Sequence, residues 1–169
     1  MMRNPLLRTI CRLAAIAAAA LAAYRYAWLP EHADHVLKTV TLRSQAALQM
    51  SSDRAKIIAR ENLDLLQPVA DVCRLSVDYH LVYAVNARIL GLNDDAIGHY
   101  TAALQADHRP EIYFDRGVTY LEEGKLDAAT PDIALAARFD PAYLESVDAG
   151  MQARVAALNK AVPYNPPPR

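Results

Sequence analysis

Between residues 77 and 141 the alternation of apolar and polar positions follows one plan twice over. Gly91 and Gly124, Ala96 and Ala129, and Ala103 and Ala136 are each 33 residues apart, which fixes the register of the two copies. In the first copy Leu81, Tyr83, Ala84, Ala87 and Leu90 make one helical stripe. Gly91 then supplies the left-handed conformation that closes a helix, and Asn93 or Asp94 is placed to cap the next one. The spacing predicts helices over 77–90 and 94–107, and in the second copy over 110–123 and 126–139 with Gly124 as the turn. Pro110 suits a first helical turn, where a backbone donor would be unpaired anyway, and Pro131 falls early enough in its helix to be tolerated. Helix pairs repeated at this length stack side by side, each burying its apolar face against its neighbours.

The flanks read as capping helices. Ser51, Ser52 and Asp53 form an N-cap cluster ahead of Ile57, Ile58, Ala59, Leu63, Leu65, Leu66, Val69, Ala70 and Cys73, so a helix is expected over 53–74 with a kink at Pro68. A last helix over 142–160 presents Leu144, Val147, Met151, Val155, Ala156 and Leu158 and would seal the array. Residues 162–169 hold too little apolar matter to pack and read as an extended, mobile tail. Residues 30–50 carry Val36, Leu37, Val40, Leu42, Ala46, Ala47 and Leu48 at a loose helical spacing with threonines between them. That segment reads as an exposed helix or a helical stalk, apolar enough to dock into the domain's own groove. The division is therefore an N-terminal segment 1–29, a stalk 30–50, a domain 51–161 with core repeats 77–109 and 110–141, and a tail.

Residues 1–29 carry Arg3, Arg8, Arg12 and Arg25, no acid, and an unbroken apolar run over 13–23. A retained membrane anchor and a cleaved secretory signal both fit. Residues 10–29 are long enough to cross the hydrocarbon if Arg12 and Arg25 reach toward the two head-group layers. Ala20-Leu21-Ala22 offers a cleavage site. Tyr24, Tyr26 and Trp28 favour the anchor, because such rings gather where a helix leaves the bilayer. Three arginines before the apolar run keep the N-terminus cytoplasmic and send the body across. In a bacterium this gives a single-pass inner-membrane protein with a periplasmic domain, or a soluble periplasmic one after cleavage.

The second copy, with Tyr113, Gly117, Tyr120, Gly124, Ala129, Ile133, Ala136, Asp140 and Pro141, resembles the tetratricopeptide repeat at nearly every signature position. The first copy keeps Ala84, Gly91, Ala96, Tyr100 and Ala103, but has His80 for the large first aromatic, His108 for the closing proline, and one residue fewer than usual. The resemblance implies an all-α fold of helical hairpin repeats, about two full repeats with flanking caps, which here follow the N-terminal transmembrane helix read from residues 1–29. It also implies that the first helix of each pair lines a concave partner-binding surface. By position these residues are Asp78, Leu81, Val82, Val85, Arg88 and Ile89, then Glu111, Phe114, Asp115, Val118, Leu121 and Glu122. The family's clamp for a C-terminal carboxylate uses lysine, asparagine and arginine where this chain has Leu81, Val85, Phe114 and Val118, so that clamp is disfavoured. An apolar strip edged with acids suits an amphipathic helix or a hydrophobic segment with basic flanks.

Charge narrows the partners. Beyond residue 29 the chain holds 14 basic against 19 acidic residues, which argues against a nucleic-acid partner. Cys11 lies in the leader, so Cys73 has no disulfide partner in the body and reads as a small buried hydrophobe. His32 and His35 are too few for a metal site, Asp94-Asp95 reads as a cap, and Glu122-Glu123 as a solvated pair. His80 reads as a packed ring, and His99 and His108 as isolated. Arg116 stands where the repeat buries a leucine; either its head reaches water or a carboxylate near Asp115 or Asp148, or it grips a partner's carboxylate at the groove edge. No spacing gathers catalytic groups, and no cofactor, metal or small-molecule substrate is expected. Three functions follow as expectations: a membrane-tethered adaptor or scaffold in envelope assembly or export, a released chaperone-like module, and an accessory subunit of an enzyme complex.

Overall fold

A computed structural model of the chain describes residues 5–161, with side-chain environments from residue 9 onward; Arg3, the side chain of Arg8 and the expected tail 162–169 lie outside them. All regular structure among the described residues is helical. In order come α1 (Pro5–Ala23), a π-helical turn (Tyr24–Trp28), α2 (Leu29–Ala47), α3 (Ser52–Leu66), a 3-10 turn (Gln67–Val69), α4 (Ala70–Cys73), α5 (Val77–Ile89), α6 (Asn93–Ala103), α7 (Pro110–Glu122), α8 (Leu126–Phe139), α9 (Ala142–Glu145) and α10 (Ala149–Ala161).

The chain does not break at Pro30. Proline lacks an N–H and presses on the carbonyl four residues back, which normally ends a helix. Here the preceding turn is widened: the Leu29 N–H donates to the Tyr24 carbonyl, five residues away, and the helix passes through. The helix running from Thr9 to Ala47 is apolar enough near its start to cross a membrane or serve as a signal sequence, and every side chain from residue 9 to 28 is exposed.

From Ala33 on, the same helix joins the domain. Ala33, Val36, Val40, Ser44 and Ala47 are buried at spacings of three and four, facing α3 and α5. The expected exposed stalk is thus half of a hairpin with α3. Leu66, Val69, Cys73, Tyr79 and Val82 close over it. A buried polar knot pins the three helices. Asn86 Nδ2 donates to Ser44 Oγ at 2.7 Å and to the Val82 carbonyl, while Asn62 Nδ2 donates to Asn86 Oδ1 at 2.9 Å and to Ser44 Oγ. Ser44 in turn donates to the Val40 carbonyl, so its hydroxyl is satisfied on both sides. On the rim of this hairpin Arg43 pairs with Glu61.

The helix expected over 53–74 is interrupted at Pro68, where the 3-10 turn replaces one α turn before α4 resumes. Ser51 occupies the N-cap of α3 with its carbonyl, accepting from the Ala55 N–H, and makes no side-chain cap. Ser76 does cap α5, accepting from the Tyr79 N–H.

The two following hairpins, α5 with α6 and α7 with α8, turn in the same way. Gly91 and Gly124 have φ of 75° and 69°, the left-handed region that side chains resist. Behind each, one N–H donates five residues back, Leu92 to Ala87 and Lys125 to Tyr120, both at 2.9 Å. The first turn does not use the expected side-chain cap: Leu92 is the N-cap of α6, and Asn93 instead donates to Glu123 of the neighbouring hairpin at 2.8 Å. Tyr113 and Tyr120 are half-buried against the cores of successive hairpins.

Between α7 and α8 the backbones close in at Gly117, where an added Cβ would lie 2.8 Å from Ile133 Cγ1 and 3.2 Å from Asp132 Cβ. Pro131 sits inside α8 without ending it. The terminal helix expected over 142–160 is two helices, because Asp148 accepts from the Met151 N–H and starts α10 afresh. Met151 and Val155 are buried against α8, with Leu144, Val147 and Leu158 beside them.

Candidate functional site

Four residues of the first predicted groove set converge with α2. Asp78, Leu81 and Val82 on α5 meet Asp34, Leu37, Lys38, Thr41, Leu42 and Gln45 on α2, and Arg109 from the α6–α7 connection, around an open cleft of about 750 Å³. Val85 continues this wall into a smaller apolar notch with Leu48. Leu42 is 68% exposed and Leu48 55%, so apolar side chains stand in solvent along one edge. The charges around the cleft are arranged in short-range pairs: Lys38 with Asp34 at 2.6 Å and Arg109 with Asp107 at 2.6 Å. Val82 is 8% exposed and serves the core more than the cleft.

The second predicted set does not line this cleft. Arg88 and Asp115 approach to 3.8 Å and tie α5 to α7. Burial raises the Asp115 carboxyl above its ordinary range, Arg88 pulls it back, and Glu111 raises it further. The Phe114 ring lies 4.7 Å from Tyr143 of α9, so it is half-covered by the chain itself. Leu121 packs toward the last hairpin and α10. Ile89 and Val118 are half-buried, and Glu111 and Glu122 are exposed. Of the twelve positions, Asp78, Leu81, Val82 and Val85 border the part shared with α2, Arg88, Phe114, Asp115 and Leu121 are engaged within the chain, and Glu111 and Glu122 stand in solvent.

The reading of Arg116 as a groove-edge grip is overturned. Its Nε and Nη2 donate to the two carboxylate oxygens of Asp132 at 2.7 and 2.8 Å, and Nη1 donates to Thr101. Tyr113 and Tyr120 flank the guanidinium, each ring centre 6.0 Å away. Asp132, on α8, is the carboxylate that the sequence reading did not name. Its burial within α8 gave no signal, because aspartate is ordinarily a surface residue.

The histidines also differ from expectation. His80 Nδ1 lies 3.0 Å from His99 Nδ1, and His108 Nδ1 lies 2.9 Å from the Tyr113 hydroxyl, so neither His99 nor His108 is isolated. His32 stacks on Trp28, which stacks on Tyr24, giving a ladder of rings along one face of the long helix. Among the described residues no group of three or more His, Cys, Asp and Glu side chains is placed to hold a metal ion.

Residues 30–50 form one wall of the cleft, the docking that their apolar content allows, rather than an exposed stalk. Val36, Val40 and Ala47 alone leave 30–50 loosely periodic; adding Ala33 and Ser44 produces a clean stripe. No family model and no curated protein matches this chain.

Proposed function

We propose that the protein is a membrane-tethered adaptor of the tetratricopeptide kind, which receives an apolar stretch of a partner protein in the cleft between α2 and α5. The observation that carries this reading is the exposed apolar edge formed by Leu42 and Leu48 opposite Leu81 and Val85. Apolar side chains that face one another across a groove, with paired charges at its rim, form a surface that a hydrophobic helix face can cover. The turns that repeat at Gly91 and Gly124 with the same bonds support the family assignment. The long N-terminal helix and its ring ladder support retention at a membrane, and the arginines ahead of it favour a periplasmic domain in a bacterium, engaged in envelope assembly or export. Tethering raises the concentration of the cleft near membrane partners, so weak contacts suffice.

Photo-crosslinking in cells tests the cleft. A benzophenone side chain at Leu42 or at Leu81 is expected to yield the same adduct. One at Ile57, exposed on α3, is expected to yield none. Equal labelling from all three positions would remove the cleft from the account.

The second reading is a soluble exported module released after Ala22, which the Ala20-Leu21-Ala22 sequence favours. Intact mass of the mature protein separates the two, since cleavage removes 22 residues.

A further inference from the structure

At the junction of α4, α5 and α6 two imidazoles share one hydrogen bond. His80 Nε2 is 3.1 Å from the Arg74 backbone carbonyl, and His80 Nδ1 is 3.0 Å from His99 Nδ1. A carbonyl oxygen only accepts, so His80 Nε2 carries a hydrogen. In the neutral pair the hydrogen between the rings belongs to His99. One further proton fits without rearrangement: it enters at His99 Nε2, and the single hydrogen still lying between the two Nδ1 atoms leaves the charge shared by the two rings. A second further proton has only that inner position left. It places N–H against N–H, on two cations whose ring centres are 5.0 Å apart.

The surroundings offer little to offset that repulsion. Tyr83 stacks on His99 at 3.8 Å with ring planes 5° apart, and Tyr79 borders both rings. Asp95 faces His99 from one turn earlier on α6, and Asp64 of α3 lines the cleft beside His99 together with Gln67. Arg74 borders His80 on the other side, and Asp71 and Cys73 act on Tyr79. Among the described residues, no carboxylate hydrogen-bonds to either imidazole.

We propose that the His80–His99 pair is a proton-operated latch on the α5–α6 hairpin, holding the two helices together while it carries at most one added proton and releasing them when it takes up two. Burial, and then the neighbouring His80, depress the pKa of His99 from 6.5 to about 4, with Asp95 opposing. The neighbouring imidazole's charge is among the causes of the lowered value, so that value belongs to the second of the two protons. An opened hairpin binds more protons than a closed one between pH 6.5 and 4, so the latch is fully effective above 6.5 and weakens as the pH falls toward 4. Between pH 7.5 and 5 the closed-to-open ratio falls on the order of thirtyfold. The latch stands apart from the partner reading, although α5 carries both: His80 precedes Leu81, which lines the cleft.

Hydrogen exchange of the full chain in detergent micelles, corrected for intrinsic rates, tests this at pH 7.5 and 5. Peptides from α5 and α6 are expected to lose protection on the order of thirtyfold at the lower pH, while α7 and α8 do not. His99→Phe keeps a ring against Tyr83 and is expected to abolish the acid response; His80→Phe serves the same purpose should the first variant fail to fold. His108→Phe is expected to leave the response intact. Equal protection at both pH values, an acid response that survives His99→Phe or His80→Phe, or one that vanishes with His108→Phe overturns the latch.

Discussion

Asn86 and Ser44 are separated by 42 positions in sequence and joined by a 2.7 Å hydrogen bond in the buried seam between α5 and α2. This bond, with Asn62 completing the knot, decides that the segment after the membrane-crossing candidate belongs to the domain. Buried polar groups cost free energy unless they find partners, and apart from the unpartnered Asn62 Oδ1 those of the knot find theirs only in this register of α2 against α3 and α5.

Asn86→Leu removes two donors and one acceptor from the knot and leaves Ser44 and Asn62 short of partners. The expected loss is about 1–3 kcal/mol, read as a lowered urea midpoint by far-ultraviolet circular dichroism. An unchanged midpoint would mean that the knot contributes nothing to holding α2.

Gly117 and Gly98 both lie within helices but differ in what surrounds them. Gly117→Ala forces a methyl group against Ile133 and the Asp132 side chain and is expected to cost about 1–3 kcal/mol. Gly98→Ala meets nothing within 4 Å and is expected to raise stability by about 0.5–1 kcal/mol through helix propensity. Thermal melts of the two variants should therefore shift in opposite directions.

Asp132→Ala strands a guanidinium that is largely shielded from water, and Arg116→Leu strands a carboxylate only 8% exposed. Each single change is expected to destabilise by about 3–5 kcal/mol, whereas the double change recovers most of the loss. Additive losses in the double variant would show that the two residues act separately.

Lys125 joins the two turns by bonding Asp94 at 2.9 Å, with both groups well exposed. Lys125→Ala is expected to leave the melting midpoint within experimental error in 0.15 M salt, because such surface pairs contribute little. A clear drop would require a larger role for the contact between turns.

Much of the helical layout is legible in the sequence. The glycines at 91 and 124 marked the turns because only the left-handed backbone closes a helix so tightly, and Pro110 marked the start of α7. What escaped was carried by residues whose type says little about their surroundings. Ser44, Asn62 and Asn86 are polar and read as surface until their partners from other helices are known. Asp148 ended the expectation of one terminal helix, since a lone aspartate within an apolar stripe is not distinguishable from a solvated one. In the groove, position within the repeat identified Leu81 and Val85 but could not foresee that Tyr143 covers Phe114; the apolar content of 30–50 allowed docking there but did not give its register.

The widened turn at Tyr24–Trp28 has a mechanical corollary. With no loop between α1 and α2, the polypeptide has no swivel there, and whatever heading the first segment takes up is handed to the cleft like the blade of a key on its shaft. Adding one alanine after Trp28 would turn that blade by about 100° without touching its shape, so a companion lying in the same bilayer should lose its grip while the domain stays folded.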